Sequence, residues 1–151
     1  MRAVVQRCSR ASVAIDGERV SAIGTGLLVL LGVEEADGPE DRGWLAGKIA
    51  RMRIFGDAAG KMNLSLADLP EAGVIVVSQF TLHASTRKGN RPSFIRAAAP
   101  DHSEPLYEQF CECLGKELDR PVGRGRFGAE MEVELVNDGP VTIVIDSKSR
   151  E

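Results

Sequence analysis

Two short apolar runs limit the fold of this 151-residue chain more than any other feature. Leu27-Leu28-Val29-Leu30-Leu31 is closed off by Gly26 and Gly32, and Gly73-Val74-Ile75-Val76-Val77 stops abruptly at Ser78 and Gln79. Apolar runs of this length without alternation fit strands buried on both faces. The sheet that holds them needs cover on both sides, and the first run belongs near its centre. The sudden change at Ser78 delivers polar side chains to the end of a buried strand, which suits a site.

The rest of the chain supplies the cover. Val4-Val5-Gln6-Arg7-Cys8 reads as a strand. Ser12 to Ile15, Asp16-Gly17 and Glu18 to Ala22 read as a tight hairpin, because Asp-Gly provides the positive φ angles of a two-residue turn. Pro39 suits the first turn of a helix in which Leu45, Ile49 and Met52 recur at helical spacing, with Trp44 and Lys48 beside them. A second helix is expected to be capped by Ser103, to carry Pro105 in its first turn, and to set Leu106, Phe110, Leu114 and Leu118 on one face. Glu130 to Leu135 alternates strictly and Val141 to Ile145 follows the turn residues Asn137-Asp138-Gly139-Pro140, so the chain is expected to end in a hairpin. The expected architecture is α+β, a mostly antiparallel, barrel-like sheet with about two main helices. No repeat, low-complexity tract or linker divides it, so residues 1–151 are expected to form a single domain.

Composition narrows the function. With 43% hydrophobic and 27% charged residues, disorder, collagen and coiled coil are excluded. No apolar run approaches the roughly 18 residues that span a bilayer, and three cysteines, an odd number, fit reduced thiols in a cytoplasmic protein with no membrane partner. A net charge of −3 provides no general basic field, so an anionic partner must be held locally. Arg87, Lys88, Arg91 and Arg96 share one stretch free of acids, and Arg120, Arg124 and Arg126 share another. Such stretches are either solvated loops or phosphate contacts.

Most motifs fail on context. Gly123-Arg124-Gly125-Arg126-Phe127-Gly128-Ala129 matches a dinucleotide-binding fingerprint, but an alternating strand follows it where that fingerprint requires a helix. Cys111-Glu112-Cys113 and the two histidines, His83 and His102, make a poor metal set, so no metal or cofactor is expected. A hydrolase triad on Ser78 and His83 lacks the nucleophile elbow, and His83 reads as an exposed loop residue. Two segments stay open. Ser78-Gln79-Phe80-Thr81 either closes a strand with hydroxyls or presents an oxyanion site. Asn137-Asp138-Gly139-Pro140 is either a plain turn or the setting for a cis X-Pro bond, which costs only about 0.5 to 1 kcal/mol.

Four blocks then form a recognisable set: Ser78-Gln79-Phe80-Thr81-Leu82, Lys88-Gly89-Asn90-Arg91-Pro92-Ser93-Phe94, Gly125-Arg126-Phe127-Gly128-Ala129-Glu130-Met131 and Asn137-Asp138-Gly139-Pro140-Val141-Thr142. With the opening Met1-Arg2-Ala3-Val4-Val5-Gln6-Arg7, the chain resembles bacterial D-aminoacyl-tRNA deacylases along its whole length. The resemblance implies a homodimer that hydrolyses the ester between a D-amino acid and the 3′-terminal adenosine of tRNA. It further implies that Ser78, Gln79, Phe80 and Thr81 are catalytic and that a cis Gly139-Pro140 enters the other subunit's site. Arg7, the third substrate-side residue, then holds that loop.

Physical chemistry fills in this expectation. The carbonyls of Gly139 and Pro140 would accept hydrogen bonds from the substrate ammonium, leaving the side chain one direction, so that L-substrates are rejected by a clash. Glycine has nothing to clash, so glycyl-tRNA, including glycine mischarged on tRNA(Ala), is expected to be hydrolysed. Backbone N–H groups near Phe80 and Thr81 would stabilise the oxyanion, with Thr81 as nucleophile the competing scheme. Arg87, Lys88, Arg91, Arg124 and Arg126 are the expected phosphate contacts, on RNA and not DNA. The rivals are a noncatalytic RNA-binding module on the same fold and an esterase built on Ser78 and His83.

Overall fold

A single long strand organises the molecule. The computed structural model describes residues 1–150, and in it β1 (Arg2–Ile15) turns through Asp16 and Gly17, with φ of 52° and 77°, into β2 (Glu18–Ile23). Both turn residues occupy the left-handed region, which Gly17 adopts without penalty and Asp16 tolerates. One edge of β1 pairs antiparallel with β3 (Gly26–Gly32) over Arg2 to Cys8 and with β2 over Ala11 to Ile15.

From β3 the chain crosses through α1 (Pro39–Arg51) and the small ribbon of β4 (Phe55–Gly56) and β5 (Met62–Leu64) to β6 (Gly73–Ser78). β6 lies parallel to β3, from Gly26 opposite Gly73 to Leu31 opposite Ser78. A parallel pair needs such a crossover, and its strands are covered on both faces, which is why both apolar runs lack alternation. After α2 (Pro100–Leu118) the two-residue β7 (Gly123–Arg124) adds in parallel to β6, and β8 (Glu132–Asp146) returns antiparallel along the other edge of β1. The α+β expectation holds, with a mixed sheet that curls until β2 packs against β6 and β7.

Burial follows the alternation. Leu27, Val29, Leu31, Val74 and Val76 face the two helices in the main core, while Leu28, Ile75 and Val77 join Cys8, Ala11 and Val13 on the opposite face. Leu106, Phe110, Leu114 and Leu118 of α2 are all buried, each contributing about 1.5–3 kcal/mol. The buried ammonium of Met1 bonds the Asp37 carboxylate and lies 2.6 Å from Ser147 Oγ.

Two expectations need correction. α2 begins at Pro100 with Ala99 as its cap. The fixed φ of proline and its missing N–H suit that first position, while Ser103 Oγ turns back to Ala99 O at 3.0 Å inside the helix, and Pro105 lies within it. The terminal hairpin is absent. Both of its halves belong to β8 and pair with β1, and Asp138 to Pro140 form a bulge where two residue steps of β1, Gln6 to Cys8, oppose five of β8, Thr142 to Asn137. Asn, Asp, Gly and Pro serve a bulge as readily as a turn.

Candidate functional site

The buried strand β6 ends at Ser78, and Gln79 N–H makes one more bond to Leu31 O at 2.7 Å before the backbone rolls into a single 3₁₀ turn, Phe80–His83. The first N–H to bond back within that turn is that of Leu82, to Gln79 O at 3.2 Å. The N–H groups of Phe80 and Thr81 therefore sit where a turn leaves donors without internal acceptors. Gln79 Nε2 donates to Thr81 Oγ1 at 2.6 Å, fixing both side chains.

Beside this turn opens a cavity of about 630 Å³. Ser78, Gln79 and Phe80 form one wall, and Phe127, Ala129 and Met131 form the facing one. Tyr107 of α2 closes the floor, its hydroxyl donating to Val76 O at 2.9 Å and its ring 6.1 Å from that of Phe127. Phe80 is 57% exposed at the mouth and meets Phe94 edge to face, with centroids 5.1 Å apart. No charged side chain lines the cavity among the described residues. Burial pushes the thiols of Cys8 and Cys111 up, the latter to about 12, so neither supplies a thiolate.

The expected substrate-side residues lie elsewhere on the protomer. Gly139 and Pro140 stand exposed on the β8 bulge, joined by a cis peptide bond, and Gly139 has φ of 134°. A Cβ there would meet Val141 Cγ2 at 2.8 Å and Arg7 Nη2 at 3.1 Å. Arg7 pins the bulge. Its Nε donates to Asp138 O at 3.0 Å, and its Nη1 donates to Ile54 O at 2.5 Å. Asn137 closes the neck by accepting Val141 N–H at 2.9 Å and donating to Gln6 Oε1 at 2.9 Å. From the bulge to Ser78 is three strands across and four residues along, roughly 14 Å by 13 Å. A single protomer does not bring Gly139 and Pro140 to the cavity.

The basic residues separate into two kinds. Arg87, Lys88 and Arg91 are exposed on a loop closed by paired backbone bonds between Ser85 and Ser93, Arg96 is exposed just beyond it, and none of the four has a carboxylate partner among the described residues. Arg126 is exposed near the cavity rim. Arg124 is paired with Glu108 of α2, which offsets its charge. His83 differs from the sequence expectation: it is fully buried and absent from the cavity lining, so it cannot act as base to Ser78. It is the last residue of the 3₁₀ turn, with its ring turned inward against Gly32, where an exposed loop position was expected. Sequence reasoning also missed Tyr107 and Phe94 as walls. Tyr107, next to Leu106, reads only as a broader helix face.

The chain is similar over its whole length to proteins of known family and fold. A D-aminoacyl-tRNA deacylase of Akkermansia muciniphila is 60% identical over 151 residues, covering all of both chains. The solved structure of a c-Myc DNA Unwinding Element Binding Protein superposes with a TM-score of 0.90 at 42% identity over 97% of this chain and 98% of that one. A second, a probable eukaryotic D-amino acid tRNA deacylase, has a TM-score of 0.82 at 20% identity over 95% and 97%, and so shares the fold. The family model described as D-Tyr-tRNA(Tyr) deacylase matches residues 4–146, and the chain belongs to that family.

Proposed function

We propose that the chain hydrolyses the ester joining a D-amino acid to the 3′-terminal adenosine of tRNA, as a homodimer in which each Gly139-Pro140 bulge covers the partner's cavity. The observation that carries this reading is a mismatch within one protomer. The cavity beside Ser78 to Phe80 offers no charged group for a substrate ammonium, while an exposed bulge anchored by Arg7 and Asn137 stands elsewhere. Each feature supplies what the other lacks.

In this reading Phe80 and Thr81 N–H stabilise the oxyanion as water, assisted by the neighbouring ribose 2′-hydroxyl, attacks the ester carbonyl. The acyl C–O bond breaks, and the free amino acid and the tRNA 3′-hydroxyl leave. Side chains of L configuration clash with the bulge, whereas glycine, mischarged on tRNA(Ala) or elsewhere, enters and is cleaved. Arg87, Lys88, Arg91 and Arg126 hold phosphates near the acceptor end, in the cytoplasm where charged tRNA is found.

Two experiments test this. Purified protein should cleave D-aminoacyl-tRNA and glycyl-tRNA and spare the L-esters; equal cleavage of L-esters overturns exclusion as the mechanism. Mixing an inactive Gly139→Val protein with an inactive Phe80→Ala protein should restore about a quarter of wild-type activity, because half the dimers then hold one complete site. No recovery overturns the exchange of bulges. A second reading, nucleic-acid binding without catalysis, draws on the solved relative at 42% identity, whose name describes a DNA-binding protein. Salt-sensitive binding of tRNA or DNA without ester cleavage would favour it.

A further inference from the structure

Beneath the catalytic turn lies a histidine with no partner. His83 is fully buried, and neither ring nitrogen makes a hydrogen bond among the described residues. A buried polar group left unsatisfied is destabilising, so its retention calls for a reason. The ring lies against the end of β3, where a Cβ on Gly32 would come within 3.0 Å of both His83 Cδ2 and Gln79 O. A carboxylate oxygen, Glu34 Oε2, lies 3.9 Å from Nδ1, on a side chain 26% exposed. That gap is too long for a hydrogen bond and too short to admit a water. A movement of about 1 Å by the Glu34 side chain closes it. The Glu34 backbone stays fixed meanwhile, its N–H bonded to Asp37 Oδ2 at 2.8 Å.

The two residues flank both functional segments. His83 ends the turn that begins at Phe80, and the basic loop leaves from it. The same loop returns beside Glu34, through a bridge to Ala97 and a bond from Ala98 N–H to Val33 O at 3.0 Å. The surrounding charges are Arg2, which holds Leu82 O at 2.8 Å and pairs with Asp146, and Lys148 and Asp37 on the Glu34 side. We propose that His83 and Glu34 form a positioning pair, a hydrogen bond from imidazole Nδ1–H to the carboxylate that closes under the turn when a tRNA end is bound and fixes Phe80 and Thr81 together with both ends of the basic loop. This rests on the assignment of that turn as catalytic.

The test uses full-length wild type, Glu34→Gln, His83→Gln and the double variant, with D-aminoacyl-tRNA. Each single substitution should lower kcat about tenfold with KM within about twofold, and the double should be no worse than either. Ring ¹⁵N spectra should show a hydrogen bond at His83 Nδ1 in complex with tRNA carrying an amide-linked D-amino acid, weakened in Glu34→Gln and absent in Glu34→Ala, which has no acceptor. Unchanged kcat, additive losses or an unaltered Nδ1 signal would overturn the pair. A wild type that cleaves no D-aminoacyl-tRNA overturns the catalytic assignment itself, a result distinct from active enzyme indifferent to Glu34.

Discussion

Replacing Arg7 probes the connection between scaffold and site most directly. The guanidinium is 13% exposed and donates to Asp138 O in the bulge and to Ile54 O beyond α1, with the Asp138 carboxylate 3.2 Å away. A hydrogen bond from a charged donor contributes about 1.5–3 kcal/mol. The ion pair adds little, since the Asp138 side chain is 53% exposed. Water replaces part of the loss at the bulge, so Arg7→Ala should cost about 3 kcal/mol, or about 6–12 °C in Tm for a chain of this size. Arg7→Lys keeps the charge but lacks the fork that reaches both carbonyls, and should recover less than half of that. At 25 °C, where both variants remain folded, Arg7→Ala should lose about 100-fold in kcat/KM, because the released bulge no longer presents its carbonyls in one place. Thermal unfolding and single-turnover deacylation read the two effects separately. A variant that melts about 10 °C lower yet keeps wild-type kcat/KM would show that anchoring the bulge has no part in catalysis.

Thr81 accepts a hydrogen bond from Gln79, and no carboxylate or imidazole bonds its hydroxyl among the described residues, so Thr81→Ala and Thr81→Val should retain turnover; loss of more than about 1,000-fold in both would restore the nucleophile scheme. Neutralising Arg87, Lys88 or Arg91 should each lower the slope of log affinity for tRNA against log salt by about one, whereas Arg124→Gln, its charge already met by Glu108, should leave the slope unchanged. Burial raises the Asp41 pKa, but hydrogen bonds from Lys148, Ser147 and Gly38 N–H and the N-terminal charge outweigh it and hold the carboxyl down to about 2. The stability this provides is full above about pH 4 and is lost as pH falls towards 2, at most about 2 kcal/mol given that Lys148 is 42% exposed. Asp41→Asn should remove that limb from an acid-unfolding curve.

The elements most legible in the sequence are those whose pattern allows one packing. Leu27 to Leu31 and Val74 to Val77 have no polar face, so burial on both sides follows, and the four apolar residues of α2 from Leu106 to Leu118 leave one direction for the core. β8 was not legible in this way. Glu132 to Val136 and Val141 to Asp146 alternate as two strands of a hairpin would, and the residues between them suit a turn. Only the length of β1, 14 residues with an open edge, decides that both halves pair with it and that the intervening segment bulges. His83 escaped for a related reason, because its ring packs against Gly32, a contact remote in sequence.

The same distinction explains why the site is divided along the chain. Ser78 to Thr81 gain their position from β6, a strand held on both faces, so the turn can expose N–H donors without loosening the core. No carboxylate acceptor for a cationic substrate lines the cavity among the described residues, and on the proposed reading the acceptor for the ammonium comes from elsewhere. It has to come from a segment that is ordered before it meets the ligand, or the cost of ordering it would weaken binding. The β8 bulge meets that requirement: Arg7 and Asn137 fix it with hydrogen bonds to backbone and side chain, although it packs against none of the core. On the proposed reading, the surface that receives this anchored and exposed segment is the neutral cavity of a second copy.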